Sequence, residues 1–339
     1  MRDNMKIPSW LPDLLNADIP EDGKSFSANG VTLLRDRGIL RANSTATSSQ
    51  GQTRNAFGFK WQKRDTYEGT IATNLHNWLI EKYGDIAEAP WWAEYGEHPI
   101  LLDAGCGAGL SVLKLFAPLL PRLRFIGADI STAIDVAQTR FEERGFQGAF
   151  LQADCQALPL PKNSVDVIFS EGVLHHCDDT RKALAAIVSH LKPNGRILFY
   201  VYKKKGPARE FTDDHIRARL QNMSPEEAWN AVMPLTKLGK ILGELDLEIK
   251  IPEKIELLDI PAGPINLQRL FYWHVLKAFY SPEMSLDEMN HINFDWYTPQ
   301  NSHRQTPEEV HKWCHALNLT IEHEYIENAG ITIIAKKVA

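Results

Sequence analysis

Cysteine, basic charge and long apolar runs are all scarce in this chain of 339 residues. The 4 cysteines stand far apart, with no Cys-x-x-Cys spacing among them. This pattern fits neither a disulfide framework nor a structural zinc site, so we predict no metal and a reducing, cytoplasmic location. No uncharged apolar run approaches the ~18 residues of a membrane span, so no membrane partner is expected. The start, MRDNMKIPSWLPDLL, lacks the basic and apolar regions of a signal peptide.

The charge balance argues against a nucleic-acid partner. Lys and Arg number 37 and Asp and Glu number 43, which gives a net charge of −6. A protein that binds many backbone phosphates is usually basic. Hydrophobic residues at 44% and charged residues at 24% are ordinary for a globular protein, so wholesale disorder and a fibrous repeat are excluded.

Strand and helix patterns alternate along the middle of the chain and return at its end. Short apolar runs predict strands at Pro99–Asp103, Leu123–Asp129, Ala149–Asp154, Val165–Ser170, Gly195–Tyr202, Thr320–Tyr325 and Gly330–Lys336. Apolar residues at helical spacing predict helices at Leu110–Leu119, Ala133–Arg144, Thr180–Leu191 and Thr306–Leu317. The sum is an α/β fold with a seven-stranded, doubly wound, mostly parallel sheet whose last two strands form a hairpin.

Residues 1–97 precede this alternation and form a predicted N-terminal extension. It contains a predicted hairpin at Gly30–Ala42, an irregular polar stretch at Asn43–Gln52 and an amphipathic helix at Glu68–Tyr83. Five basic residues and no acid occur between positions 38 and 64. They form either a solvated loop or a segment that closes over an anionic ligand.

Residues 203–302 interrupt the alternation before the last helix. Helices are predicted there at Pro225–Leu242 and Asn266–Phe279. An insertion at this point of an α/β sheet lies above the carboxyl ends of the strands, where ligands bind. We therefore predict a core made of residues 98–202 and 303–339, with residues 203–302 as an inserted helical substrate cap.

A glycine-rich turn, LLDAGCGAG, spans Leu101–Gly109 after the first core strand. Glycines between a strand and a helix let a ligand approach the backbone and the helix amides. Asp103 would repel a pyrophosphate but can orient an ammonium group. Asp129 ends the second strand, where a carboxylate can accept both hydroxyls of a ribose. Asp154 ends the third strand and can accept from an adenine amino group.

Five motifs in succession resemble those of class I S-adenosylmethionine-dependent methyltransferases, in particular the type 11 and UbiE-like members. They read LLDAGCGAG, FIGADIS, QADCQALPLP, FSEGVLHHCDD and HLKPNGRILFYVY. The resemblance implies a Rossmann-like fold, S-adenosyl-L-methionine as cofactor and methyl transfer as the reaction. The cofactor-binding residues that it implies are Asp103, Gly105, Cys106, Gly107, Gly109, Asp129, Ile130, Asp154, Cys155 and Glu171.

An upstream segment, Phe57-Gly58-Phe59-Lys60-Trp61, resembles the F-G-x-x-W segment of one subgroup of this family. The segment either folds over the cofactor through Phe57 and Trp61, or these two rings only pack. Some members of the subgroup carry a cysteine-based zinc ribbon before it. The corresponding hairpin, Val31–Ala42, has no cysteine, so no zinc site is implied here.

The methyl acceptor is predicted to be a small molecule. Ser170-Glu171-Gly172-Val173 stands where enzymes that methylate base amino groups resemble one another in an N/D-P-P-Y/W motif, and no Pro-Cys pair occurs for C5-methylation. The expected reaction is in-line methyl transfer to an O, N or S atom. The alternatives are a protein or tRNA acceptor, or a non-catalytic regulatory protein that binds the cofactor. An arsenic acceptor is disfavoured because the cysteine spacing does not match that of arsenite methyltransferases.

Two sets of residues are predicted to contact the acceptor. His175 and His176 follow the fourth strand and can remove a proton during transfer, or can be structural. The aromatic residues of the cap either line an acceptor pocket or form the core of the cap itself. The predicted substrate-binding residues are Tyr272, Trp273, His274, Trp296 and Tyr297. The oligomeric state does not follow from the sequence.

Overall fold

A single large sheet organises the part of the chain that the computed structural model describes, residues 6–43 and 47–338. Its strand order is β1-β2-β3-β6-β5-β4-β7-β8-β12-β11, and β9 and β10 form a separate ribbon. The strands are β1 Ser25–Ala28, β2 Val31–Asp36, β3 Ile39–Ala42, β4 Ile100–Ala104, β5 Arg124–Asp129, β6 Ala149–Gln152, β7 Val165–Glu171, β8 Leu191–Tyr202, β9 Glu248–Ile251, β10 Gly263–Asn266, β11 Leu319–Ile326 and β12 Gly330–Lys337.

Helices cover both faces of this sheet. They are α1 Leu11–Leu15, α2 Ser48–Gln62, α3 Thr70–Tyr83, α4 Leu110–Leu115, α5 Ala133–Glu143, α6 Thr180–His190, α7 Pro207–Leu220, α8 Pro225–Glu244, α9 Leu267–His274, α10 Leu286–Tyr297 and α11 Pro307–Ala316. Neighbouring residues of β4 show the two layers: Leu101 packs in one buried cluster and Leu102 in another. Side chains alternate across a strand, so both faces of the sheet are buried and the predicted doubly wound α/β fold is confirmed.

The predicted count of seven strands is wrong, because the sheet continues into the N-terminal extension. The expected hairpin at Gly30–Ala42 is part of a three-stranded meander, β1 to β3. Its last strand pairs in parallel with β6, with Leu40 opposite Leu151. The pairing removes the exposed edge that β6 would otherwise present. The local sequence pattern predicts a hairpin, but neither its additional strand β1 nor the distant strand that β3 joins.

The polar stretch after the meander is also not irregular throughout. Residues 44–46 lie outside the described residues, but α2 begins at Ser48, and the Thr47 hydroxyl accepts from the amide of Gln50 as its N-cap. Phe57 and Trp61 therefore lie one helical turn apart on α2. The helix predicted at Glu68–Tyr83 is confirmed as α3.

The insertion contains more regular structure than its sequence pattern predicts. The helix predicted at Pro225–Leu242 is confirmed as α8, which begins with a capping box at Ser224. The helix predicted at Asn266–Phe279 ends early, at His274. The sequence pattern did not predict α7, α10 or the ribbon of β9 and β10. Most of α10 is buried, including polar residues, so it has no clear amphipathic period.

The carboxyl ends of β4, β5 and β7 meet at the reversal of strand order in the sheet. β4 lies between β5 and β7, and all three are parallel. This is where ligands bind in open α/β sheets. The insertion and α2 meet nearby, since Ala56 of α2 packs with Tyr202 and Trp229. None of the helices in the described residues is both long and apolar enough to cross a membrane.

We predict that the N-terminal meander contributes to global stability. On β2, Leu33 is 0% exposed and Leu34 is 38% exposed, so the two leucines form a matched pair. Leu33→Ala should lower the free energy of unfolding by about 2–5 kcal/mol, because it leaves a cavity in the core. Leu34→Ala should lower it by less than about 1 kcal/mol. Urea denaturation measures the free energy of unfolding of both variants. Equal small losses would mean that the meander does not pack into the hydrophobic core.

Candidate functional site

A cavity of about 670 Å³ lies at the carboxyl ends of the central strands, between the sheet, α2 and the insertion. It brings together most of the residues that the sequence pointed to. The predicted residues that line it are Phe57, Trp61, Asp103, Gly105, Cys106, Gly107, Asp129, Ile130, Asp154, Cys155, Glu171, His176, Tyr272, Trp273 and Trp296. Gly109, His175, His274 and Tyr297 are not among its lining residues.

The glycine turn forms one wall of the cavity, and two of its glycines leave no room for a side chain. Gly105 has φ +87°, and a Cβ there would lie 2.2 Å from a methyl carbon of Val173. Gly107 has φ +52°, and a Cβ there would lie 3.0 Å from Nε1 of Trp61. The indole of Trp61 thus lies over bare backbone, which fits a turn built for close approach of a ligand. This contact places Trp61 beside the predicted cofactor site.

Asp103 is a buried carboxylate that faces the cavity without a partner. It is 2% exposed, and no hydrogen bond or ion pair within residues 6–43 and 47–338 ends on its side chain. Burial, with the nearby charges of Asp129 and Glu171, raises its pKa well above the ordinary value. A cation bound against it would restore ionisation. The position therefore fits the ammonium group of an amino-acid-bearing ligand.

Asp129 is held in a fixed orientation at the end of β5. One carboxylate oxygen accepts from the backbone amide of Gly107 at 2.9 Å. The other accepts from the amide and hydroxyl of Ser131 at 2.8 and 2.6 Å. Burial raises its pKa, and the hydrogen bonds from Ser131 and Gly107 oppose that rise. Lone pairs remain on a carboxylate with three donors, so Asp129 can accept further hydrogen bonds from a diol.

Two thiols in contact with each other, those of Cys155 and Cys177, line the cavity next to Asp154. The Sγ atoms of Cys155 and Cys177 are 3.5 Å apart, and both residues are buried. The contact with Cys177 and burial raise the pKa of the Cys155 thiol well above its usual range. Asp154 beside them accepts from the amide of Gln156 at 2.9 Å. The Cys155 thiol is therefore protonated near neutral pH and presents a soft, uncharged surface.

Glu171 lines the cavity, but the chain already binds both of its carboxylate oxygens. Lys82 and the hydroxyl of Tyr83 donate to them, each at 2.5 Å. The Lys82 ammonium also lies 3.5 Å from the ring centre of Tyr200. Burial lowers the pKa of Lys82 to about 8, and Glu171 opposes this shift. Sequence reasoning missed Lys82 and Tyr83, which end a helix predicted only for its amphipathic spacing.

The two histidines occupy different environments. His175 is fully buried, stacks on Tyr202 and accepts from the backbone amide of Tyr202 at Nδ1. Its Nε2 is buried without a hydrogen-bond partner among the described residues. The structure gives no support for His175 as a base, because it does not line the cavity and burial lowers its pKa well below 6.5.

His176 lines the cavity in a defined tautomer. Its Nδ1 lies 2.7 Å from the carbonyl of Asn301, so the neutral ring donates there and carries a lone pair on Nε2. The ring meets Phe57 of α2 edge-on. Burial lowers the pKa of His176 to about 4. A neutral His176 can therefore accept a hydrogen bond from a ligand in the cavity.

Asp295 is the main residue of the site that sequence reasoning missed. It forms an ion pair with Lys60 of α2 and accepts from the hydroxyl of Tyr202 at 3.0 Å. Burial opposes its ionisation, but Lys60 and other cations lower its pKa far below the usual value. Of the five basic residues between positions 38 and 64, Lys60 lines the cavity, whereas Arg41 and Arg64 form ion pairs elsewhere. The basic run was the only sequence signal for this pair.

The aromatic residues of the insertion serve both predicted purposes. Tyr272, Trp273 and Trp296 line the cavity. Tyr297 instead belongs to the core of the insertion, and its hydroxyl donates to the buried Asp213 at 2.9 Å. Trp296 does both, because its Nε1 also donates to Asp213 at 2.7 Å. Within residues 6–43 and 47–338, no group of three or more His, Cys, Asp or Glu side chains is placed to hold a metal ion.

Comparison with known proteins gives matches that centre on the core strands. Residues 102–199 match the family described as "Methyltransferase domain". An uncharacterised methyltransferase of Bacillus subtilis (strain 168) is 36% identical over 104 residues, which cover 30% of this chain and 40% of that protein. A ubiquinone/menaquinone biosynthesis C-methyltransferase of Shewanella sp. (strain ANA-3) is 27% identical over 46% of this chain and 68% of that protein.

The matched region is only part of these relatives. It spans 27% of the length of a Synechococcus protein and 47% of a mycobacterial one. Among solved structures, an O-methyltransferase family protein from Burkholderia thailandensis has a TM-score of 0.48 and 12% identity over 85% of this chain and 63% of that chain.

We predict that His176 stays neutral through the physiological pH range. Its folded-state pKa of about 4 lies below the unfolded value of about 6.5, so unfolding takes up a proton between these pH values. The stability that His176 contributes is therefore present above about pH 6.5 and falls as the pH drops toward 4. The ring-proton NMR signal of His176, assigned with His176→Gln, should not move between about pH 5.5 and about pH 8. A midpoint above about pH 6 would contradict the assigned environment.

Proposed function

We propose that this chain, which carries a class I methyltransferase domain, is an S-adenosylmethionine-dependent enzyme that methylates an O, N or S atom of a small molecule. The observation that carries the proposal is Asp103, a buried carboxylate that faces the cavity beside a glycine turn and has no partner in the described chain. A buried acid without a partner is costly to ionise, so a site that keeps one is suited to a positive charge in its ligand.

The residues of the cofactor side fit the three parts of S-adenosylmethionine. Asp103 and the turn of Gly105 and Gly107 would hold the methionine part, Asp129 the ribose hydroxyls, and Asp154 with Cys155 the adenine. The bare backbone of the turn supports the fit, because a Cβ at Gly105 would collide with Val173. When bound, the cofactor supplies a methyl group activated by its positively charged sulfur.

The chain contributes enclosure and orientation to the reaction. Trp61 and Phe57 of α2 cover the cavity from one side, and the insertion covers it from another. Exclusion of water desolvates the acceptor atom, and the fixed walls restrict its approach. His176 accepts the acceptor's O–H or N–H proton in a hydrogen bond at Nε2 and so orients the lone pair that is methylated. A pKa of about 4 makes His176 a weak base, so its role in this proposal is orientation.

The size and cover of the cavity favour a small acceptor over a protein or tRNA. A volume of about 670 Å³ lies within the range of small-molecule sites. We propose that the insertion, residues 203–302, acts as the substrate cap and that Tyr272, Trp273 and Trp296 contact the acceptor. The four free cysteines support a reducing, cytoplasmic location for the enzyme.

Calorimetry tests the proposed cofactor. We expect S-adenosylmethionine and S-adenosylhomocysteine to bind, and Asp129→Ala to weaken both about 10- to 100-fold, because hydrogen bonds to a charged group are worth about 1.5–3 kcal/mol. Glu88→Gln changes an exposed carboxylate away from the cavity and serves as the matched control. An affinity that Asp129→Ala leaves unaltered would remove the ribose assignment, and no binding of either compound would sink the proposal.

Labelled methyl transfer tests the class of acceptor. The protein is incubated with methyl-labelled S-adenosylmethionine and a cell extract, and the products are separated by size. We expect the label in small molecules, because the volume of the cavity is that of a small-molecule site. Label in protein or RNA would overturn the small-molecule acceptor, and cofactor binding with no labelled product would favour a non-catalytic regulatory protein.

A further inference from the structure

The half of the cavity formed by the insertion and α2 contains more positive than negative charge. Five basic residues line it: Lys60, Lys205, Arg209, Arg269 and Lys277. Two of these are neutralised, since Lys60 pairs with Asp295 and Arg209 pairs with Asp213. The acids Asp103, Asp129 and Asp154 belong to the opposite half, at the strand ends.

Lys277 forms no salt bridge with any of the described residues. It is 8% exposed, and no hydrogen bond or ion pair within the described residues ends on its Nζ. The Nζ atom lies 4.9 Å from the ring centre of Trp296. A buried ammonium over an aromatic face still lacks an acceptor for its N–H groups.

Lys205 adds a second charge without a carboxylate bound to it. Its Nζ donates to two backbone carbonyls, of Lys203 at 2.6 Å and Ala329 at 2.9 Å. It also lies 5.5 Å from the ring centre of Trp296. Arg269 lines the cavity from its exposed position beside Tyr272. The remaining acids of the cavity lining are Glu171, which is bound by Lys82 and Tyr83, and Glu327, which lies near Lys82 and Lys205.

We propose that Lys277 and Trp296 form a subsite for an organic anion, a carboxylate or phosphate carried on a flat apolar body. The anion accepts from Nζ of Lys277, and the rings of Trp296 and Trp273 contact its apolar part. Its identification as the methyl acceptor rests on the proposed function. The subsite itself does not, because it is a property of the charges and rings of the insertion.

The charged groups around Lys277 lie on several helices, and together they favour binding of an anion at its ammonium group. Asp295 of α10 and Asp213 of α7 attract its ammonium, whereas Arg209 of α7 and Lys60 of α2 repel it. Burial lowers the pKa of Lys277 to about 7. An anion against Nζ favours the charged form, so binding of the anion and protonation of Lys277 are coupled. Affinity for the anion should therefore fall as the pH rises through neutrality.

Binding of simple probes tests the subsite in the full-length protein. Benzoate and phenyl phosphate are titrated by calorimetry, with benzamide as the neutral match for benzoate. We expect at least one of the two anions to bind about tenfold or more tightly than benzamide, and the tighter one identifies the carboxylate or the phosphate as the preferred group. Equal binding of the anions and benzamide, or no binding of either anion at millimolar concentration, would overturn the proposal.

Variants assign the effect to Lys277. Lys277→Met should weaken the anion about tenfold or more and leave benzamide unchanged, whereas Lys277→Arg should retain much of the affinity. Lys237→Met removes an exposed lysine of α8 that does not line the cavity and is the matched control. The affinity for S-adenosylhomocysteine and the thermal midpoint show whether each variant is folded. An anion affinity that a folded Lys277→Met retains would contradict the subsite.

The two proposals can fail separately. Anion binding that depends on Lys277, without binding of S-adenosylmethionine, would support the subsite and reject the proposed function. Binding of S-adenosylmethionine without anion binding would support the proposed function and reject the subsite.

Discussion

The carboxylate of Asp295 connects the three parts of this chain. It belongs to α10 of the insertion, pairs with Lys60 of α2 in the N-terminal extension and accepts from Tyr202 at the end of the core strand β8. All three residues are poorly exposed, so loss of Lys60 or Asp295 would leave the other without its ion-pair partner in a poorly solvated place. The enclosure of the cavity depends on this junction, because α2 and the insertion cover the strand ends from different directions.

The junction also separates two electrostatic environments. The strand ends supply carboxylates, of which Asp103 has no hydrogen-bond partner among the described residues and Asp129 is oriented by Gly107 and Ser131. The insertion supplies cations, of which Lys277 forms no salt bridge within the described part of the chain. A cationic group and an anionic group would each find a complementary half, which is the arrangement expected when two different ligands are bound in one cavity.

Much of the core was predictable because its signals are local. A strand, a glycine turn and a helix follow one another within a few residues, and each strand end carries its own acid, as Asp103 and Asp129 show. The pairing of β3 with β6, the Glu171–Lys82 pair and the Asp295–Lys60 pair were not predictable. The two members of each pair are far apart in the sequence, and a local hydrophobic period does not indicate which distant segments come into contact.

The sequence by itself determined the α/β class, the glycine turn and the acids that follow the central strands, because backbone geometry and side-chain chemistry act there over short distances. Only the tertiary structure decided which residues face the cavity. It turned His176 toward the cavity and buried His175 behind Tyr202, although the two are adjacent in the chain. It also placed the ammonium of Lys277 beside the ring of Trp296. Packing and burial set these environments, and both depend on contacts between distant segments.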